Sequence, residues 1–247
     1  MGYVNTATMN ENQWYILGLN FENVGAEASF KIKDLLAPEK FTSGSLVAGE
    51  NANVATQIQI RNSDNSATTY FYSDNVMVFE PEFAIVNGWV KEFEEYAGET
   101  TDTFEPGTGF WFKQPTGGGA VALNFAGQVI PADSADIHVM SIWQLAANPY
   151  PTSLKVKDLA SDSLTAGENA NVATQIQIRN SDNSATTYFY SNNVMVFEPE
   201  FAIINGWVKE FEEYAGMTED TIAPGVGFWI KDPSKTFDIE IKNPTSK

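Results

Sequence analysis

Residues 48–98 of the chain read AGENANVATQIQIRNSDNSATTYFYSDNVMVFEPEFAIVNGWVKEFEEYAG, and residues 166–216 repeat this stretch at an offset of 118. Only two positions differ between the copies: Asp74 corresponds to Asn192, and Val86 corresponds to Ile204. A period of this length exceeds that of common solenoid repeats and matches the size of a whole domain. The chain is therefore predicted to contain two tandem copies of one domain.

The similarity between the copies extends outward from this stretch and weakens with distance. SFKIKDL (residues 29–35) matches SLKVKDL (residues 153–159), and FEPGTGFWFKQP in the first copy matches IAPGVGFWIKDP in the second. Between KDL and AGE the first copy carries a six-residue insertion. The copies meet near residue 127, which predicts a first repeat at residues 1–127 and a second repeat at residues 128–247.

Apolar and polar residues alternate at period two within each copy, which is the pattern of a half-buried β-strand. QIQIR and TTYFY show this alternation and are rich in β-branched and aromatic residues. The residues between them, NSDNSA, are turn formers, so residues 56–73 and 174–191 are predicted to form β-hairpins. Residues 109–113 and 120–125 predict two further strands, paired across the turn QPTGGG.

Helical pattern is scarce in the sequence. Trp89, Phe93 and Ala97 recur at intervals of four residues before Gly98, a spacing that suits a short helix. The predicted fold is all-β, with two tandem homologous antiparallel β-sandwich-like or open-barrel domains and a short helix in each.

The composition excludes several classes of function. The chain carries 32 Asp and Glu against 14 Lys and Arg, and its net charge of −18 repels phosphate backbones and anionic bilayers. No apolar run reaches the length of about 18 residues that spans a bilayer. The absence of Cys removes disulfides and thiolate sites, and the single His removes nearly every imidazole-based site. We expect neither a nucleic-acid partner nor membrane insertion.

Three motifs together resemble a known module. IWQLAANPYP (residues 142–151), TQIQIRN followed by TTYFY, and PGVGFW (residues 224–229) are similar to an uncharacterised β-rich module of secreted bacterial cell-surface proteins. The opening glycine of that pattern is missing here, and the first copy keeps only Leu19-Asn20-Phe21 of its NPYP element.

This resemblance implies an extracellular or cell-surface protein whose modules commonly occur in tandem, and it brings no catalytic residues. Residues 1–14 lack the basic and apolar regions of a signal peptide, so a signal is expected to have been removed.

Paired carboxylates are the candidate catalytic groups. They are Glu80, Glu82, Glu92, Glu94 and Glu95, with second-copy counterparts Glu198, Glu200, Glu210, Glu212 and Glu213. A glycosidase needs two carboxylates about 5–10 Å apart, one of them with a pKa raised by burial. However, EPE at a strand end and EFEE beside a lysine are typical of solvated faces. We therefore expect a protein that is not an enzyme and has no catalytic residues.

Two oxygen-rich loops are candidates for Ca²⁺ through Asp64, Asn65, Asp182 and Asn183. Ca²⁺ takes six to eight oxygen ligands, but these loops lack the D-x-D-x-D-G spacing and its distal Glu. A hairpin tip held by Asx turns is the favoured interpretation. No metal site or cofactor is assigned, and Ca²⁺ remains an open alternative because it would screen the acidic surface.

Four tryptophans, Trp89, Trp111, Trp207 and Trp229, allow two interpretations. They form a hydrophobic core, or they form duplicated flat platforms for sugars, which would make the chain a bivalent carbohydrate-binding or adhesin module with surface polysaccharide as its partner. In GFWF, alternation places Phe110 and Phe112 on one face and Trp111 on the other, so at least one face is buried.

The terminal strands suggest self-assembly. VALNFAG (residues 121–127) continues without a turn signal into QVI, which predicts one strand shared by both repeats. At the chain ends each half of such a strand stands alone, because residues 237–243 have no successor and residues 2–4 have no predecessor. The C-terminal edge of one molecule is therefore expected to pair with the N-terminal strand of the next. The candidate assembly residues are Gly2, Tyr3, Val4, Phe237, Ile239 and Ile241. The predicted function is an extracellular structural protein that self-assembles through β-strand edges into a filament, sheath or surface layer.

Overall fold

A computed structural model of the chain describes residues 1–24, 28–79, 83–180, 182–196 and 201–244. Nearly all of its regular structure is β, in antiparallel sheets, which confirms the predicted all-β class.

The structure describes ten strands in the first repeat. They are β1 (Gly2–Asn5), β2 (Trp14–Gly18), β3 (Phe30–Lys31), β4 (Phe41–Ser43), β5 (Gln57–Arg61), β6 (Ala67–Val78), β7 (Ala84–Lys91), β8 (Thr103–Phe104), β9 (Gly109–Lys113) and β10 (Ala122–Gly127). Its helical segments are α1 (Ile32–Leu35) and 3₁₀ helices at Pro38–Lys40 and Glu95–Ala97.

The second repeat contains nine strands among its described residues. They are β11 (Ser134–Val139), β12 (Gln144–Ala147), β13 (Leu154–Lys155), β14 (Gln175–Arg179), β15 (Ala185–Val196), β16 (Ala202–Lys209), β17 (Thr221–Ile222), β18 (Gly227–Lys231) and β19 (Phe237–Lys242). Its 3₁₀ helices lie at Val156–Asp158 and Glu213–Ala215.

Each repeat is built around a five-stranded sheet of the same topology. The strand order is β2-β9-β5-β6-β7 in the first repeat and β12-β18-β14-β15-β16 in the second. The predicted hairpins are confirmed, because β5 pairs with β6 and β14 pairs with β15 across the NSDNS turns. The predicted strand at residues 109–113 is β9, with those bounds.

A smaller sheet faces the large one, and the core lies between them. In the first repeat this sheet has the order β1-β10-β4. Phe110 and Phe112 project from β9 into the core and pack with Phe125 of β10, whose ring centroid lies 6.4 Å from that of Phe110. The two layers therefore form a sandwich, and the face of β9 that carries Phe110 and Phe112 is the buried one.

The six-residue insertion accounts for the main difference between the repeats. It supplies the 3₁₀ helix Pro38–Lys40 and leads into β4, which covers the outer edge of β10. In the part of the chain that the structure describes, no counterpart of β4 pairs with β19, whose partner is β11.

Three local expectations need correction. The strand predicted at residues 120–125 spans Ala122–Gly127 and pairs with β1 and β4, not with β9. A continuous strand shared by both repeats is not formed, because β10 ends at Gly127 and β11 begins at Ser134. The predicted helix before Gly98 is a single 3₁₀ turn, since Phe93 has a positive φ of 70° that ends regular structure.

Candidate functional site

The two repeats contact each other along what we call the inter-repeat seam. The first repeat contributes β2, β9 and the turn at residues 105–108, and the second contributes β12, β18 and the turn at residues 223–226. The Gly18 amide donates to the carbonyl of Gly225 at 2.9 Å, and the Ala147 amide donates to the carbonyl of Gly107 at 2.8 Å. Gly18 corresponds to Ala147 and Gly107 to Gly225, so the two bonds are related by a pseudo-two-fold axis. The chain thus resembles a homodimer whose subunits are covalently linked.

A cluster of four tryptophans lies along this seam. Trp14 packs edge-on against Trp111 with ring centroids 6.0 Å apart, Trp111 packs against Trp229 at 6.0 Å, and Trp229 packs against Trp143 at 6.3 Å. The guanidinium of Arg179, from the second repeat, stacks 5.3 Å from the Trp111 ring of the first. The cluster therefore joins the two repeats through aromatic and cation–π contacts.

The four tryptophans considered as sugar platforms all have other partners. Trp89 and Trp207 are each only 1% exposed, and their indole Nε1 atoms donate to the backbone carbonyls of Leu36 and Leu159. The platform assignment is wrong for Trp89 and Trp207, because a buried ring has no free face. Trp111 and Trp229 remain half-buried, but their edges are occupied by the tryptophan cluster.

Two β-hairpins project apolar side chains into solvent. We call them the hairpin arms: residues 76–79 with 83–86 in the first repeat, and residues 194–196 with 201–204 in the second. In the first arm Phe79, Phe83, Ile85 and Val86 are between 42% and 70% exposed, and the Phe79 and Phe83 rings pack 5.7 Å apart.

The second hairpin arm repeats this exposure. Phe201, Ile203, Ile204 and Met195 are all exposed there. Sequence reasoning missed the arms, although their signal was present. VMVF and FAIVNGWV contain no charged residue, and nothing in them supplies the polar face that a half-buried surface strand normally has.

The outer strand of each arm is the edge of its sheet. β7 and β16 pair with β6 and β15 on one side, and no strand among the described residues pairs with their other side. Residues 84–90 and 202–208 hold neither Pro nor a charged side chain, the devices that usually protect an edge from pairing. The outward carbonyls of Trp89 and Trp207 already accept the backbone amides of Thr100 and Thr218. Residues 84–88 and 202–206 are therefore the part of these edges that is suited to accept another strand.

Each arm is followed by an aromatic loop, at residues 92–98 and 210–216. Tyr96 and Tyr214 are 90% and 94% exposed. Phe93 and Phe211 adopt φ of 70° and are also exposed, and their amides donate to the carboxylates of Glu95 and Glu213. A bulky residue at positive φ is strained, so these hydrogen bonds hold an otherwise unfavourable loop in place.

The remaining candidate carboxylates divide between surface contacts and undescribed positions. Glu94 forms an ion pair with Lys91 at 2.8 Å, and Glu212 does the same with Lys209 at 2.7 Å. Glu80, Glu82, Glu198 and Glu200 lie outside the described residues.

The oxygen-rich loops are held by their own hydrogen bonds. The Asp64 carboxylate accepts the backbone and side-chain hydrogen bonds of Ser66, which lower the pKa of Asp64, and Ser184 has the same effect on Asp182. Asn65 and Asn183 occupy positive-φ turn positions and accept from Arg61 and Arg179. No group of three or more His, Cys, Asp or Glu side chains arranged for a metal ion occurs within the described ranges.

The terminal strands both have partners within their own repeat. Gly2 pairs with Gly127 and Val4 with Phe125, while Phe237, Ile239 and Ile241 pair with β11. Val4, Ile239 and Ile241 are buried in the two cores, whereas Tyr3 is exposed. One edge of β1 and one edge of β19 have no strand beside them in the described chain.

Comparisons of the chain with protein-family models, with curated proteins and with solved structures found no match. No helix in the described ranges has the length and apolar character needed to cross a membrane.

Proposed function

We propose that the chain is a structural subunit that self-assembles through the open edges of its two hairpin arms. The observation that carries this proposal is the outer edge of β7 and β16, where residues 84–88 and 202–206 hold neither charge nor Pro and lie beside exposed Phe, Ile and Val side chains. A second copy of the chain supplies a matching apolar strand, so strand pairing and side-chain burial occur together.

The exposed area of the chain supports this role. Its accessible surface is 12535 Å², whereas a compact monomer of this mass exposes about 10,900 Å². The excess agrees with arms that extend from the body. Covering the exposed parts of the four large side chains of one arm contributes roughly 5 kcal/mol. A pair of arms doubles this value, which is comparable with the free energy that association costs.

The pseudo-two-fold axis determines the kind of assembly that we expect. Each chain carries two equivalent arms related by that axis. If each arm pairs with a like arm of another chain across a second two-fold axis, the two kinds of axis alternate and growth does not close at a dimer. A filament or sheet is the expected product, as a sheath or surface layer requires.

The terminal strands offer a second place for strand pairing. Among the described residues no strand pairs with the outer edge of β19, because the second repeat lacks the insertion that forms β4 in the first; a hydrogen bond from the Ser161 hydroxyl engages the Asp238 carbonyl there. The outer edge of β1, with Tyr3, is a matching donor on the next molecule. Head-to-tail pairing of β1 with β19 would cross-link arm-paired chains.

The assembly is proposed to lie outside the cell and to have no catalytic role. Its extracellular or cell-surface location is supported by the resemblance to secreted surface modules and by the acidic, Cys-free composition. A non-catalytic role agrees with Glu94 and Glu212 being engaged by lysines at the surface.

Charged substitutions in the arms test the proposal. Ile85→Lys together with Ile203→Lys puts a charge into the apolar surface of each arm, and burying that charge between chains is costly, so polymers seen by negative-stain electron microscopy and light scattering should disappear. Val54→Lys together with Val172→Lys is the matched control, because it adds the same two charges at equivalent exposed positions outside the hairpin arms and the terminal strands. Retention of polymers by the double arm variant, or a wild-type protein that stays monomeric, would contradict the proposal.

A further inference from the structure

A polar cleft with a volume of about 580 Å³ opens in the second repeat, between β15 and the aromatic loop at residues 210–216. Ligand sites for small molecules typically have volumes of about 300–1,000 Å³. The lining of the cleft includes two amides, two carboxylates, a thioether and a phenol. They are Asn192, Asn193, Glu168, Glu213, Met195 and Tyr214.

A β-bulge builds one wall of the polar cleft. The pairing of β15 with β16 shifts register between Ser191 and Val194, so Asn192 and Asn193 leave the regular alternation and both are exposed. The backbone amide of Asn192 donates to the carbonyl of Gly167 at 3.2 Å, and the backbone amide of Asn193 donates to the Ser191 hydroxyl at 3.1 Å. The backbone of this wall is therefore fixed, while the two side-chain amides face solvent. Bulges recur next to binding sites because they redirect side chains in this way.

The aromatic loop builds the opposite wall. Tyr214 is almost fully exposed within the 3₁₀ helix Glu213–Ala215. The strained Phe211 turn, closed by the bond from the Phe211 amide to Glu213, fixes this helix relative to β16. An exposed aromatic ring on a strained, internally bonded loop beside a concave surface is a preformed stacking face.

The lining selects the chemistry of the ligand. Asn amides both donate and accept, carboxylates accept, and the Tyr ring packs on apolar C–H faces. Carboxylates line the cleft and no basic side chain lines it among the described residues, so anions are disfavoured. A ligand with adjacent hydroxyls and an apolar ring face matches these groups. We propose that the polar cleft binds an uncharged oligosaccharide, with Tyr214 stacking on a sugar ring and Asn192 and Asn193 bonding its hydroxyls.

The first repeat carries the same residue types at the equivalent positions. Tyr96 corresponds to Tyr214, Asn75 to Asn193, and Asp74 replaces Asn192. Asp74 accepts hydrogen bonds but does not donate them when ionised. We therefore expect the second repeat to bind the sugar more tightly than the first. The proposed sugar site does not depend on self-assembly.

Isothermal titration calorimetry on the full chain tests the proposal. The probes are cellopentaose, maltopentaose and mannopentaose, with trigalacturonate and pentalysine as charged comparators. At least one neutral pentasaccharide should bind, and the combined Tyr96→Ala and Tyr214→Ala variant should weaken its binding by about tenfold or more. Asn192→Asp, which copies the first repeat, should weaken binding several-fold. Tyr3→Ala removes an exposed tyrosine outside the cleft and should leave binding unchanged.

Three outcomes overturn the proposal: no neutral pentasaccharide binds to the wild-type chain, the double tyrosine variant binds as wild type does, or pentalysine binds in place of the sugars. Circular dichroism checks that each variant is folded. The substituted side chains are exposed, so the fold is expected to persist.

Discussion

Gly109→Ala should open the inter-repeat seam and lower the free energy of unfolding by about 1–3 kcal/mol. A β-carbon built on Gly109 lies 2.7 Å from the carbonyl oxygen and 2.8 Å from the amide nitrogen of Ala146, whereas ordinary contacts begin at 3.4 Å. Both atoms belong to the backbone of β12, so no side-chain rotation relieves the contact. The strands must separate by about 0.5–1 Å, a gap that forfeits a quarter to a half of the dispersion energy across it.

The assay is urea unfolding followed by far-UV circular dichroism, with near-UV circular dichroism of the native state as a local probe. Coupled indole rings give strong near-UV signals, so separating Trp111 from Trp229 should reduce the signal of the tryptophan cluster. A loss of 1–3 kcal/mol corresponds to a fall in Tm of roughly 2–12 °C for a chain of this size.

Gly88→Ala is the matched control for Gly109→Ala. Gly88 also lies within a strand at an ordinary φ, but the nearest atom to its built β-carbon is the flexible Glu99 carboxylate, at 3.0 Å. Its substitution should be neutral or slightly stabilising, because alanine restricts the unfolded chain. Equal stability and an equal near-UV signal for Gly109→Ala and wild type would refute the close backbone contact at the seam.

Two further predictions concern the second repeat. Trp207→Phe removes the N–H that donates to the buried carbonyl of Leu159, and urea unfolding should show a loss of about 2–4 kcal/mol; a loss below 0.5 kcal/mol would contradict a buried, bonded indole. Burial of the Asp232 carboxyl favours its protonated form, but hydrogen bonds led by the Thr174 hydroxyl outweigh this and hold the pKa of Asp232 below its ordinary value. Its stabilisation is therefore present above about pH 4 and lost as the pH falls through the lowered pKa. Asp232→Asn removes this titration, so the free energy of unfolding should fall less steeply with acid than in wild type. The first repeat has the uncharged Gln114 at the same place. Parallel pH profiles of the variant and wild type would contradict this role of Asp232.

Local pattern was enough to predict several strands and the division of one of them between two faces. The alternation in QIQIR and TTYFY led directly to β5 and β6, because a half-buried strand requires period two. The alternation in GFWF placed Phe110 and Phe112 on one face and Trp111 on the other, and the structure buries the face with the two phenylalanines. These inferences depend only on neighbours along the chain.

What depends on packing between distant segments was not predictable. Trp89 and Trp111 look alike in sequence, but Trp89 enters the core of its own repeat while Trp111 contacts the other repeat. The difference depends on the seam, which forms because Gly109 allows the backbones to approach. The positive φ of Phe93, which replaces the expected helix with a 3₁₀ turn, likewise depends on a side-chain bond to Glu95.

The exposure of the hairpin arms was hidden for a related reason. Apolar residues at period two predict a strand with a covered face, but they do not reveal whether the chain itself supplies the cover. The chain does not cover Ile85 and Val86, and both side chains are exposed.

Sedimentation velocity of the wild-type chain over a wide range of concentrations tests the central claim most directly. Arm-to-arm pairing predicts species larger than the 27.2 kDa chain whose average size increases with concentration. A single 27.2 kDa species at every concentration would contradict self-assembly through the hairpin arms.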